Sequence, residues 1–160
     1  MRIRLAKMED LEQILRVYSY AQDFMIEHGN PNQWGHIYPE KELLEKDIEE
    51  KQLYVMESDS IHGVFVFILG EDPTYQYIEN GNWLNNEEYG TIHRIASDGK
   101  EHGILSTCLA YVSSLTKNIR IDTHHDNIVM QKAILKNGFT ECGIIYVADG
   151  SARIAYQKEV

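Results

Sequence analysis

The first residues, Arg2-Ile3-Arg4-Leu5-Ala6, alternate polar and apolar, which predicts a short strand. The period then changes. Met8, Leu11, Leu15, Tyr18, Gln22 and Met25 recur at helical spacing until Gly29-Asn30 supplies a stop, predicting a first helix. Residues 31 to 39, PNQWGHIYP, hold two of the three prolines and read as a loop between helices. A mostly polar second helix follows, EKELLEKDIEE, with a thin apolar stripe of Leu43, Leu44 and Ile48 that places it on the surface. QLYVMES and SIHGVFVFILGED, separated by Ser58-Asp59-Ser60, read as an antiparallel pair; the second has a nearly continuous apolar run, as expected of a central strand.

Residues 73 to 88, rich in asparagine and aromatics, read as a long excursion containing one weak strand. YGTIHRIAS is the next strand and leads into SDGKEHGILSTCLAYV, where Gly99 and Gly103 precede apolar positions at Ile104, Leu105, Cys108, Leu109, Val112 and Leu115. A helix thus starts near His102 or Gly103. After a short strand at IRID, HHDNIVMQKAILKNGF reads as a helix started by Asp126 and ended by Asn137-Gly138. TECGIIYVAD and SARIAYQK close the chain as two strands joined at an Asp-Gly-Ser turn. The order β-α-α-β-β-β-α-β-α-β-β makes residues 89 to 122 a parallel crossover inside a mainly antiparallel sheet. The expected class is α/β (α+β), with helices on both faces and one domain over residues 1–160.

The loop from Ser97 to Gly103 has the makings of an anion site, because the first amides of a helix lack intrahelical partners and sit at the positive end of its dipole. An ordinary glycine turn explains the same residues. Composition narrows the partners. The net charge of −10, with no run of Lys or Arg, excludes ordinary nucleic-acid binding and is compatible with a cationic acceptor. The longest apolar run, Val64 to Leu69, is far short of the ~20 residues of a membrane span. Charged residues interrupt any apolar core of a leader at the N-terminus, so a cytoplasmic location is expected. Cys108 and Cys142 lack paired spacing for zinc or redox work, and no metal is expected.

Taken together, the element order and three motifs resemble the GCN5-related N-acetyltransferase (GNAT) superfamily, of the bacterial small-domain type, over the whole chain. The C-terminal segment from Thr123 to Lys158 matches at Asn127, Gly138 and Phe139. The opening loop is similar to the family's acetyl-CoA pyrophosphate loop, with Lys100 at the basic position, Gly103 at the first glycine and Leu105 at the second small position. The N-terminal strand followed by KMEDLEQILRVY is the third.

The resemblance implies acetyl-CoA as co-substrate and N-acetyl transfer to a primary amine of a small molecule or peptide, by direct attack in a ternary complex. A coenzyme A-binding module without transferase activity is the alternative. Backbone groups from His93 through Arg94 to Ile95 would pair with the pantetheine arm. The amides of Glu101, His102, Gly103, Ile104, Leu105 and Ser106 would cradle the pyrophosphate, with Lys100 and His102 adding charge. Asn127 would bond the pantetheine, or else cap its helix. A homodimer is compatible with the resemblance.

Acetyl transfer requires a neutral amine, and deprotonating a lysine-like ammonium at pH 7 costs about 4 to 5 kcal/mol, so a base is expected. His93 is the first candidate, with a hydrogen-bonded structural imidazole as the other reading; His124, His125, Glu87 and Glu88 are further candidates. The Ile95 amide would donate to the thioester oxygen. The family's frequent tyrosine falls at Ile134, which cannot donate a proton, leaving Tyr146 and Tyr156 as substitutes. Trp34 and Tyr38 would either wall the acceptor site or fasten their loop to the core. Leu105 poses a further question, since its side chain must point to the core for the loop amides to stay open.

Overall fold

The computed structural model describes all 160 residues, Met1–Val160. Seven strands form one sheet in the order β1-β2-β3-β4-β5-β7-β6, with β1 Arg2–Leu5, β2 Leu53–Glu57, β3 Ile61–Leu69, β4 Gly90–Ser97, β5 Asn118–Thr123, β6 Thr140–Tyr146 and β7 Ala152–Glu159. The helices are α1 Leu11–Glu27, α2 Lys41–Glu49, α3 Ile104–Val112 and α4 Ile128–Lys136. Every neighbouring strand pair is antiparallel except β4 and β5. No helix is long and apolar enough to cross a membrane.

The continuous apolar run of β3 follows from burial on both sides. Val64 and Val66 pack with Ile14, Val17, Tyr18 and Leu44 of α1 and α2, whereas Phe65 and Phe67 pack with Leu105, Cys108 and Leu109 of α3. A strand whose faces are both covered loses the alternation that marks a half-exposed one.

Several local expectations are corrected. The buried face of α1 is Ile14, Val17, Tyr18 and Ala21; Met8 is exposed and lies in a preceding 3₁₀ turn, Met8–Asp10. The apolar set of this helix is broad enough to fit two phases, and contact with β3 and β4 selects the second. Asp47 of α2 is buried together with Leu44 and Ile48, so that helix is more than a surface element. Asn127, rather than Asp126, caps α4, its Oδ1 accepting from the Met130 amide at 3.1 Å. α3 ends at Val112, and Leu115 lies beyond it and is exposed.

The excursion between β3 and β4 contains a 3₁₀ turn at Pro73–Tyr75 and one isolated bridge between Glu79 and Ile144, with no strand. Arg120 of β5 holds it instead. Its guanidinium lies 4.0 Å from the Trp83 ring centre and 3.8 Å from that of Tyr89, and donates to the Asn85 carbonyl. Two aromatic faces around one buried cation replace the backbone pairing a strand would provide.

Candidate functional site

β4 and β5 pair only at their beginnings, Gly90 with Ile119 and Thr91 with Arg120, and then separate. The separation coincides with an irregularity in β4. On its other side Val66 faces His93 and Val64 faces Ala96, so Arg94 and Ile95 stand opposite the single residue Phe65. Arg94 takes up the extra residue at φ 50°, in the left-handed region that non-glycine residues rarely adopt.

Buried contacts hold this bulge. The Arg94 guanidinium donates to Asp47, with Nη2 2.9 Å from both carboxylate oxygens and Nε 3.1 Å from Oδ2, and Nη1 donates to the Tyr38 hydroxyl. The Tyr18 hydroxyl donates to the Arg94 carbonyl at 2.7 Å. The Arg94 side chain is therefore committed to α2 and the loop before it, and its carbonyl to α1.

Two cavities meet where the strands part, sharing Met25, Ile95, Asn127 and Met130. The first, of about 630 Å³, runs between the C-terminal half of α1 and the start of α3, with α4 as its floor. Gly103, Ile104, Leu105, Ser106 and Asn127 line it; Lys100, Glu101 and His102 do not. The reason lies in loop geometry. The Lys100 amide donates to Asp98, Gly103 carries φ 71° as the residue before α3, and the basic side chains point into solvent.

Leu105 is buried in the core beneath α3, so its branched side chain leaves the N-terminal amides accessible. A Cβ at Gly103 would meet nothing closer than the Ser106 Cβ at 4.0 Å, which marks open space beside the helix start. Tyr20, Phe24 and Lys136 also line this cavity. They belong to α1 and α4, and only the tertiary fold brings them to the loop.

The second cavity, about 440 Å³, opens on the α1 face of the excursion and the splay. Sheet register defines that face. His93 pairs with Val66 of the α1-side core, Thr91 with Arg120, and Asp122 with Ala155, so His93, Asp122 and Arg153 project to one side. Trp34 and Tyr38 line the same cavity, the Trp34 ring set edge-on to Tyr18 at 5.8 Å.

His93 Nε2 lies 3.0 Å from Asp72 Oδ2. Burial alone would raise Asp72, but contacts with His93 and with the hydroxyl and amide of Thr74 override it and hold the carboxyl at about 2. The opposite holds for Asp122. Burial lifts its carboxyl above the ordinary range, although Tyr75 donates to Oδ2 at 2.6 Å.

A stability consequence follows for Asp72. A carboxyl held below its ordinary 3.8 when folded contributes stability above about pH 4 that is lost as pH falls toward 2. The shift corresponds to roughly 2 kcal/mol. Urea denaturation of Asp72→Asn is therefore expected to show a shallower loss of stability than wild type between pH 4 and 2; parallel curves would count against the His93 contact.

The remaining candidates lie elsewhere. Tyr156 is buried in the core with its hydroxyl pushed up to about 12, and Tyr146 is exposed and donates to Glu79, so neither reaches the cavities. Ile134 is fully buried. Glu87 approaches Asn118 at the closed end of the β4 and β5 pair, and neither it nor Glu88 lines a cavity.

His124 and His125 stack on each other at 4.3 Å beside the splay rather than in it. Together with Asp126 they bring three ligand-type atoms within 4.8 Å of one another. His124 Nδ1, however, already accepts from the Asp126 amide.

A mixed sheet whose single parallel pair splays beside a bulge, with a glycine-led helix start at the opening, is the acyl-CoA N-acyltransferase fold. No family model and no curated protein matches the sequence. Solved structures do. A GNAT-family acetyltransferase from Streptococcus agalactiae is 29% identical, with a TM-score of 0.89 over 99% of this chain and 95% of that one. A Staphylococcus aureus protein provisionally assigned as an acetyltransferase is 27% identical, with a TM-score of 0.71 over 99% of both chains. Ribosomal-protein-alanine N-acetyltransferase from Brucella melitensis shares the fold at 14% identity, with a TM-score of 0.64 over the full length of both. The chain belongs to the GCN5-related N-acetyltransferase superfamily.

Proposed function

We propose that the protein is an acetyl-CoA-dependent N-acetyltransferase that binds both substrates at once and transfers the acetyl group directly to a primary amine. The observation that carries this reading is the meeting of two cavities at the β4 and β5 splay, one at the start of α3 and one beside His93.

The residues present fit the coenzyme. The splay leaves β4 and β5 unpaired with each other beyond Thr91 and Arg120, open space lies beside Gly103 at the start of α3, and the buried Thr123 hydroxyl at the opening has no partner. In this reading Ile95 and its neighbours hold the pantetheine arm by backbone pairing, and Asn127 can bond to it through the side chain that also caps α4. Gly103 to Ser106 hold the pyrophosphate through their amides, with Lys136 as the nearest cation lining that cavity. Acetyl-CoA supplies the activated acetyl group.

His93 is positioned as general base. With Nε2 set 3.0 Å from Asp72 Oδ2, Nδ1 is the nitrogen left to take the amine proton, and the Asp72 charge then stabilises the imidazolium. Ile95, at the bulge, offers its amide to the carbonyl oxygen as negative charge develops. Neither Tyr146 nor Tyr156 reaches the cavities to protonate the departing thiolate, so in this reading the thiolate takes its proton from water.

The test is thiol release from acetyl-CoA across a panel of primary amines. Amine-dependent release with at least one of them is expected. Saturable coenzyme binding without release for any amine would instead describe a binding module.

A further inference from the structure

Arg153 is buried, 8% exposed, yet no carboxylate lies within 4 Å of it. Its only side-chain hydrogen bond runs from Nη1 to the carbonyl of the preceding residue, Ala152, at 3.0 Å. Four of the five guanidinium hydrogens thus have no protein acceptor, and the nitrogens without a partner are not sealed in the interior but remain accessible. The half-buried Arg94 and the buried Arg120 are not left this way: Arg94 is clamped by Asp47, and Arg120 by two rings, Gln157 and the Asn85 carbonyl.

Arg153 lines the second cavity and projects from the same sheet face as His93 and Asp122. Asp122 and Asp149 are near enough to feel its charge but neither reaches ion-pair distance: Asp122 accepts from the Tyr75 hydroxyl at 2.6 Å, and Asp149 turns its carboxylate to the Ser151 amide at 2.8 Å. At the other side of the cavity stand Asp72 and His93, an anionic and basic pair suited to an ammonium group.

Building on the transferase reading, we propose that the acceptor is a small amino-carboxylate, an amino acid or a close analogue, whose carboxylate is bound by Arg153 while its amine lies against His93 and Asp72. The planar guanidinium fork with free donors is the group best matched to a carboxylate. A cavity of about 440 Å³ is in the range that holds a small metabolite. Phosphate of the coenzyme is not the natural partner, because the helix start that would hold it lies in the other cavity. The acidic surface suits the ammonium half of such a zwitterion, and the buried arginine selects the other half.

The experiment compares matched acceptors that differ only at the carboxylate: the twenty amino acids, their C-terminal amides and the corresponding decarboxylated amines, assayed by thiol release with acetyl-CoA. At least one amino acid is expected to exceed its amide and its decarboxylated amine by on the order of 100-fold in kcat/KM. Arg153→Gln should abolish that preference by raising KM for the amino acid, with acetyl-CoA affinity retained; Arg153→Lys should restore part of it. The comparison among acceptors uses the wild-type protein, so it decides the matter even where a variant fails to fold. Turnover of amides and simple amines as fast as amino acids would overturn the carboxylate proposal and leave the transferase reading intact. Acetyl-CoA binding without turnover of any acceptor would overturn both.

Discussion

Substitution of His93 by glutamine is expected to lower kcat by about 10² to 10⁴, the range over which a positioned general base contributes. Acetyl-CoA affinity should stay within about threefold of wild type, because an interaction made only with the acceptor does not enter coenzyme binding. The geometry separates the two effects. His93 lines only the cavity beside Asp72, 3.0 Å away, whereas the cavity at the start of α3 begins at Ile95, two residues further along β4. Glutamine approximates the volume and keeps an N–H donor toward Asp72 but cannot accept the amine proton. The ascending limb of the pH profile of kcat/KM should therefore disappear in the variant. Steady-state kinetics and calorimetric titration of acetyl-CoA check both halves. A variant that keeps full turnover and an unchanged pH profile would remove His93 as the base.

Replacing Asp47 by alanine is expected to destabilise the protein by about 3 to 5 kcal/mol, because removing one partner of a buried ion pair leaves the other charge uncompensated. The Asp47 side chain is 1% exposed and that of Arg94 11%. The cost has a functional side. Arg94 is the left-handed bulge residue beside the β4 and β5 splay, and its clamp to Asp47 anchors the residue next to Ile95. Urea denaturation of Asp47→Ala, Arg94→Met and the double variant would measure the coupling. The double variant should recover much of the loss suffered by Asp47→Ala. A loss below about 1 kcal/mol in Asp47→Ala would mean that the pair does not hold the bulge.

The element order is legible in the sequence because it rests on period and punctuation, which are local. β3 reads as a central strand from its apolar run, and Gly103 as a helix start from the pattern that follows it. The phase of α1 is not, since Leu11, Ile14, Leu15, Val17 and Tyr18 make an apolar surface wider than one stripe. Asp47 is a charged residue on a polar helix, and only the approach of Arg94 across the fold explains its burial. The excursion reads as containing a strand because it is aromatic, but those aromatics surround Arg120 rather than pair along a backbone.

At the site, the loop glycine, Leu105 and Asn127 are recognisable from motif spacing, and the structure brings all of them to one cavity. Lys100 and His102 fit the motif by type, yet their side chains point to solvent, because a motif specifies residue order and not side-chain direction. Tyr20, Phe24 and Lys136 carry no local signal at all. Arg153 is equally silent in the sequence. An arginine near the end of a chain is ordinarily a surface residue, and its significance lies in burial without a counter-ion, a property of the folded arrangement alone.

The central claim is that the splay and the start of α3 form one coenzyme site. A crystal structure determined after soaking or cocrystallisation with coenzyme A tests it most directly. The pyrophosphate is expected against the amides of Gly103 to Ser106 and the pantetheine arm between β4 and β5, its thiol reaching the cavity beside His93. Coenzyme bound away from both strands, or no coenzyme at saturating concentration, would contradict it.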